Sequence, residues 1–183
     1  MNGLGLDRMP SMSECVAYFG NGSLASVISR KYGWYNLAKR MGMPIKKSET
    51  GFAKRYETRA AELLQALGFN VQRMSQNFPY DILVNNCIKI DVKASRLCRG
   101  VNGDYYSFHI DKPFATCDFY ILLAVGDREE IERVMIIPSC EVITKRQISV
   151  GARRSKYYKY TDRYDLIEIA SLFWTNIEQA VVL

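Results

Sequence analysis

The segment "YDILVNNCIKIDVKAS", residues 80–95, constrains this chain more than any other. From Ile88 to Ala94 it alternates without a break: Ile88, Ile90, Val92 and Ala94 on one side, Lys89, Asp91 and Lys93 on the other. A sustained period of two predicts a strand. "DILV" before it predicts a second, so the pair forms a hairpin whose register depends on the connecting turn. A two-residue Asn85-Asn86 turn would pair Asp81 with Ile90 and put the two aspartates on opposite faces. A three-residue Asn85-Asn86-Cys87 loop pairs Asp81 with Asp91 and Leu83 with Lys89. It also collects Tyr80, Ile82, Val84, Ile88, Ile90 and Val92 on one apolar face. The hydrophobic pattern selects the three-residue loop.

A charged strand face can be simple solvation, but two carboxylates directly opposite one another repel. A divalent cation between them removes the conflict. Mg²⁺ takes hard oxygen ligands and keeps several waters, so Asp81, Asp91 and a backbone carbonyl, that of Val92, suffice; Mn²⁺ would substitute. Such an ion lowers the pKa of bound water and neutralises charge on a phosphodiester. Lys93 emerges on the face of Asp91, where it can orient or deprotonate the attacking water and offset developing charge. The helix expected over "GFAKRYETRAAELLQALGF", from residue 51, carries Phe52, Tyr56, Ala60, Leu63 and Leu67 as its apolar stripe. Glu57 falls at the stripe's edge, where it can become a further metal or water ligand. Glu62 falls on the wet side.

Strands are also expected at 69–74, 105–110, 118–125 and 133–138, which predicts an α+β or α/β domain with a mixed sheet over 51–183. The first 46 residues read differently, as three short helices. Ser13 caps the first. Ser23 caps "LASVISRKYG", whose Leu24, Val27 and Ile28 share a face, and Gly33 separates it from "WYNLAKRMG". Two short helices at a tight glycine turn predict a helix-turn-helix, with Tyr35, Asn36, Lys39 and Arg40 presented by the recognition helix. "PIKKSETG", 44–51, reads as a linker, and its Lys46 and Lys47 extend the basic surface.

Net charge is +6, with seven basic residues against three acidic ones in 1–50. "KRQISVGARRSKYYKYTDR", 145–163, has seven against one. There Arg153, Arg154 and Lys156, interleaved with Tyr157, Tyr158 and Tyr160, suit a phosphate backbone. Other chemistries find little support. No GxxxxGK[ST] loop is present, and one histidine, His109, cannot serve a Ser-His-Asp triad without a companion motif. His109 reads as a strand side chain, and Trp34 and Trp174 as packing residues. Cys15, Cys87, Cys98, Cys117 and Cys140 are odd in number and widely spaced, which disfavours disulfides and structural zinc. No apolar run is long enough to span a bilayer, and no basic-then-apolar leader opens the chain. A cytoplasmic protein is expected.

Glu57, then Asp81, then Asp91-Val92-Lys93 resembles the PD-(D/E)xK nuclease superfamily, the motif here reading Asp81–x9–Asp91–x–Lys93. "ETRAAELLQALGFNVQRM" is similar to the first helix and strand of archaeal-type Holliday junction resolvases. "DFYILLAV", "IIPS" and "SKYYKYTDRYDLI" are more similar to group I intron homing endonucleases. The resemblance spans roughly 51–167 and implies a restriction-endonuclease-like core, a mixed central sheet flanked by helices. It implies Mg²⁺-dependent cleavage of double-stranded DNA, with Glu57, Asp81, Asp91 and Lys93 catalytic, by a homodimer or homotetramer. Two departures stand out: Tyr80 separates Pro79 from Asp81, and Asp91 occupies a position where Glu is commoner. The expected function is a site-recognising, homing- or restriction-like endonuclease. The alternatives are a junction-selective nuclease or a non-cutting DNA-binding protein on the same fold.

Overall fold

The computed structural model describes residues 4–44, 49–75, 77–110, 114–142 and 144–181, with the side chains of all but Tyr35, Glu49, Thr50, Glu178 and Val181. The chain forms two compact units, Met1–Glu49 and Thr50–Leu183.

The first unit holds α1 (Met12–Phe19), α2 (Ser23–Lys31) and α3 (Trp34–Arg40). Ser11, rather than Ser13, caps α1: its hydroxyl accepts the Glu14 amide while the Glu14 carboxylate takes the Ser11 amide. Capping needs a side chain just before the first turn that reaches forward to accept an amide within it, and Ser13 already lies inside that turn. Ser23 is likewise inside α2, and the Asn21 side chain receives its amide. Ala25, not Leu24 or Val27, is the buried residue of α2. Gly33, at φ 69°, ends α2 by donating to the Ile28 carbonyl, and α3 begins at the next residue. Trp34 donates its indole N–H to the Pro10 carbonyl at 2.8 Å, which ties the start of α3 to the segment before α1.

The second unit opens with α4 (Glu49–Ala66), which starts inside the stretch read as a linker; residues 45–48 of that stretch lie outside the described residues. Its buried stripe is Phe52, Tyr56, Ala60, Ala61 and Leu64, while Leu67 is 52% exposed. Phe52, Tyr56, Ala60 and Leu64 recur every four residues, so the stripe follows one i+4 row and leaves Leu67 outside it. Then come β1 (Val71–Arg73), β2 (Ile82–Val84), β3 (Ile88–Cys98), β4 (Tyr105–His109), β5 (Phe119–Val125), β6 (Ile131–Pro138), β7 (Gln147–Gly151) and α5 (Asp165–Val181). The strands β1, β2, β3, β5 and β6 lie side by side, with β3 and β5 parallel and the other neighbours antiparallel. The far end of β3 pairs instead with β4, which carries β7. The result is the mixed-sheet α+β fold expected. The strand β7 and the helix α5 add to it beyond the elements expected from the sequence.

Alternation along β3 and β5 builds two cores. Ile90, Val92, Ile121, Leu123 and Val125 face α4 and Ile167 of α5. Tyr120, Leu122 and Ala124 face the opposite way, against Tyr106, Phe108, Ile148 and Val150 of β4 and β7 and against Tyr157 and Tyr160. Burial on both faces explains why β5 is continuously apolar. Tyr80 packs on the second core and stacks with Lys89, rather than joining Ile82 and Val84. The ladder has ended before it, so strand alternation no longer sets its direction.

Candidate active site

The hairpin uses the three-residue loop. Ile82 pairs with Ile90, Leu83 with Lys89 and Val84 with Ile88. Asn85 and Asn86 both take left-handed backbone, φ 49° and 60°, a conformation asparagine tolerates better than most side chains. Asn85 also bonds the rest of the unit: its carbonyl oxygen accepts the Asn70 amide, and its amide group donates to Ser171 Oγ at 3.2 Å.

At Asp81 the chain leaves the ladder. Its amide still donates to the Ile90 carbonyl, and its carboxylate Oδ2 accepts the Val92 amide at 2.7 Å. A carboxylate thus occupies the place of a strand carbonyl. Among the described residues the pairing of β3 with β2 stops at Ile90 and that with β4 begins at Leu97, so between them β3 is paired with β5 alone. The site forms on that open edge.

Asp91 is 2% exposed, and its Oδ1 lies 2.6 Å from Lys93 Nζ. Burial by itself would lower the lysine's pKa, but attraction to Asp91 and then to Asp81 outweighs it. The net shift is upward, and Lys93 is a cation at neutral pH. Glu57 of α4 is half-buried. Burial first and the Asp81 carboxylate second hold its pKa above the ordinary value, while Arg73, Lys93 and Lys54 pull it partly back. These mutual effects bring Glu57, Asp81, Asp91 and Lys93 into one electrostatic cluster. Glu62 is exposed on the same helix.

Two residues join that sequence patterns do not single out. Tyr120 pairs across the sheet with Asp91, and its hydroxyl is held protonated by burial, with Cys117 and Asp91 adding to the effect. Cys117 is buried, and its charged form would be felt by Lys93. Only the parallel register of β3 and β5 could have announced them.

Among the described residues, no group of three or more His, Cys, Asp or Glu side chains is arranged to hold a metal ion. Mg²⁺ does not require one: two carboxylates with waters are enough. The Asp81 carboxylate sits on the amide of Val92, the residue after Asp91, so the two aspartates would offer hard oxygens from neighbouring positions. The donor set therefore fits such a cation, with Glu57 within reach of the cluster.

Of the residues expected to meet DNA, Asn36, Lys39 and Arg40 are exposed on α3, and Arg153, Arg154 and Lys156 are exposed after β7. The Tyr35 side chain, Lys46 and Lys47 lie outside what is described. Tyr157 and Tyr160 are core residues, and the Tyr158 hydroxyl donates to the Gly151 and Ala152 carbonyls at 2.7 and 2.9 Å. The tyrosines of this stretch therefore anchor it inward, and only its cations face out. His109 is an exposed strand residue, and Trp174 lies substantially exposed on α5 rather than packed. All five cysteines are free thiols. Among the described residues no helix is long and apolar enough to cross a membrane.

No family model matches the sequence, and no curated protein matches it. Among solved structures the chain is similar to a bacterial homing endonuclease, I-Ssp6803I. The identity is 15%, the match covers 72% of this chain and 99% of that one, and the TM-score is 0.58. At that identity the likeness is one of fold. The chain has an endonuclease-like α+β fold.

Proposed function

We propose that this chain is a Mg²⁺-dependent endonuclease of the PD-(D/E)xK type that hydrolyses phosphodiester bonds in double-stranded DNA at recognised sites. The observation that carries the reading is the Asp81 carboxylate on the Val92 amide, between Asp91 and Lys93. Decorative surface charges have no reason to replace a strand carbonyl or to bury a carboxylate. The likeness to a bacterial homing endonuclease supports site-selective cutting over junction selectivity.

In this reading Asp81, Asp91 and the Val92 carbonyl hold the cation, with Glu57 as a further or water-mediated ligand. When bound, the cation supplies a water of lowered pKa and neutralises charge on the scissile phosphate. Lys93 is already cationic and held by Asp91, so it stands ready to orient the attacking water and to offset charge on the phosphate oxygens. Tyr120 keeps its proton and fixes the wall beside Asp91. The exposed cations of α3 and of 153–156 neutralise DNA phosphates. Cutting two strands calls for paired active sites, hence a homodimer or homotetramer. Free thiols suit a reducing, cytoplasmic setting.

The test is cleavage of plasmid, linear and four-way-junction DNA side by side, with Mg²⁺, Mn²⁺ or EDTA. Metal-dependent cutting of duplex DNA at discrete sites is expected. Cutting confined to the junction would establish the resolvase reading, and binding without cutting in either metal would leave a DNA-binding protein.

A further inference from the structure

The Asp91 carboxylate is buried, yet the cation held against it is not. Lys93 reaches it from two residues further along β3, with Nζ 2.6 Å from Oδ1, and keeps 29% of its own side chain exposed. A carboxylate so deep needs a cation, because an unpaired buried charge is costly. Lys93 also acts on Asp81 and Glu57, while the other cations felt by Glu57, Arg73 and Lys54, are exposed to solvent. Within the cluster, one ammonium group faces three carboxyl groups.

The oxygen that Lys93 holds belongs to the donor set that fits a divalent cation. Two cations drawn to one buried carboxylate repel each other, so they do not share it on equal terms. The ammonium is the one able to leave. Its four-carbon stem is flexible, and part of the side chain is already in solvent. It also lies on the stretch of β3 that pairs with β5 alone, where no further strand closes over it.

We infer that the Lys93 ammonium is a placeholder on Asp91, which an entering divalent cation displaces and so turns towards the substrate phosphate. The inference rests on the metal-site reading of Asp81 and Asp91 and adds an order of events: Lys93 is withheld from DNA until the metal is in place. Metal and ammonium then compete, and such coupling is reciprocal. Isothermal titration of Mn²⁺ into the full chain, without DNA, reads it directly. Lys93→Met should bind Mn²⁺ at least about 10-fold more tightly than wild type. Lys54→Met removes an exposed cation that also acts on the cluster, and should change the affinity by less than about threefold, as expected for a screened charge. Thermal unfolding gives a second reading, because a ligand stabilises a fold in proportion to its affinity: the same Mn²⁺ concentration should raise the Tm of Lys93→Met further than that of wild type. In wild-type chain isotope-labelled at lysine Nζ, the ammonium resonance assigned by its loss in Lys93→Arg should shift as Mg²⁺ saturates the site. Equal or weaker Mn²⁺ binding by Lys93→Met would overturn the inference. So would an equal gain in Lys54→Met, or an ammonium resonance unmoved at saturating Mg²⁺. Metal binding by none of these chains would overturn the metal-site reading itself, and the inference with it.

Discussion

The Asp91–Lys93 pair makes a quantitative demand on stability. The two atoms are 2.6 Å apart, but the partners are unequally buried: the side chain of Asp91 is 3% exposed and that of Lys93 is 29%. Breaking a buried pair from one side costs about 3–5 kcal/mol, because the remaining charge is stranded. Lys93→Met strands the more deeply buried partner and removes a cation that acts on Asp81 and Glu57 as well, so it should fall in that range near neutral pH. Asp91→Asn strands an ammonium group that can turn towards water or Asp81, and should cost about 1–3 kcal/mol. The double variant strands neither, so it should cost less than the sum of the singles by about 1–3 kcal/mol.

Urea unfolding followed by circular dichroism in EDTA measures all three. The pH dependence supplies a sign check. Lys93 titrates above its ordinary value in the fold, where attraction to Asp91 and Asp81 outweighs burial, so the pair's contribution is full at neutral pH and is lost as pH rises through that raised value. The loss in Lys93→Met should therefore be smaller at about pH 11 than at about pH 8. If the two losses add to within about 0.5 kcal/mol, or if Asp91→Asn is the costlier change, the pair is not coupled as the geometry requires.

Four further outcomes follow from the site and its supports. Asp91→Asn should lower DNA cleavage by orders of magnitude while affinity in metal-free buffer holds or rises slightly; Lys93→Ala should also abolish cutting, Glu57→Gln should be milder, and Glu62→Gln should be silent. Because Glu57 has a raised pKa, its ionisation destabilises the fold as pH rises through that value; Glu57→Gln should flatten this fall in an EDTA unfolding series from about pH 4 to pH 8. Lys39→Glu with Arg40→Glu should weaken DNA binding and flatten its salt dependence, and an unchanged slope would mean that α3 does not touch phosphate. Asn85→Ala loses two side-chain hydrogen bonds and a tolerated left-handed backbone, so a loss of about 2–3 kcal/mol is expected in urea.

What could be read from the sequence is what short range determines. The loop length of the hairpin followed from parity alone, since a one-residue slip would have turned Ile88, Ile90 and Val92 out of the core. The edge position of Glu57 followed from helix geometry, although the stripe itself ran through Leu64 rather than Leu67. Caps were misplaced by two residues at Ser13 and by one at Ser23, because several side chains near a helix start can accept an amide and only the backbone path decides where the helix begins. The tyrosines at 157, 158 and 160 looked outward beside basic neighbours, yet the core against β4 and β7 claimed two of them and backbone carbonyls claimed the third. Adjacent residues in that segment point opposite ways, and composition carries no direction.

The harder part of the site depends on pairing across distance. Asp91 has the same chemistry wherever its strand lies, but its burial and its neighbours come from β5, which enters beside β3 only after β4 has been laid elsewhere. The parallel register that sets Tyr120 against Asp91 costs a long loop closure and leaves no mark in the local sequence. Asp81 shows the same limit from the other side. Parity fixed the register as far as Ile82, but alternation presumes a continuing ladder, and the ladder stops there. The Asp81 carboxylate therefore lies along the open strand edge on the Val92 amide instead of standing on the sheet face. A continued β2 would have paired that edge of β3 with backbone and left the Asp81 carboxylate no place on the Val92 amide.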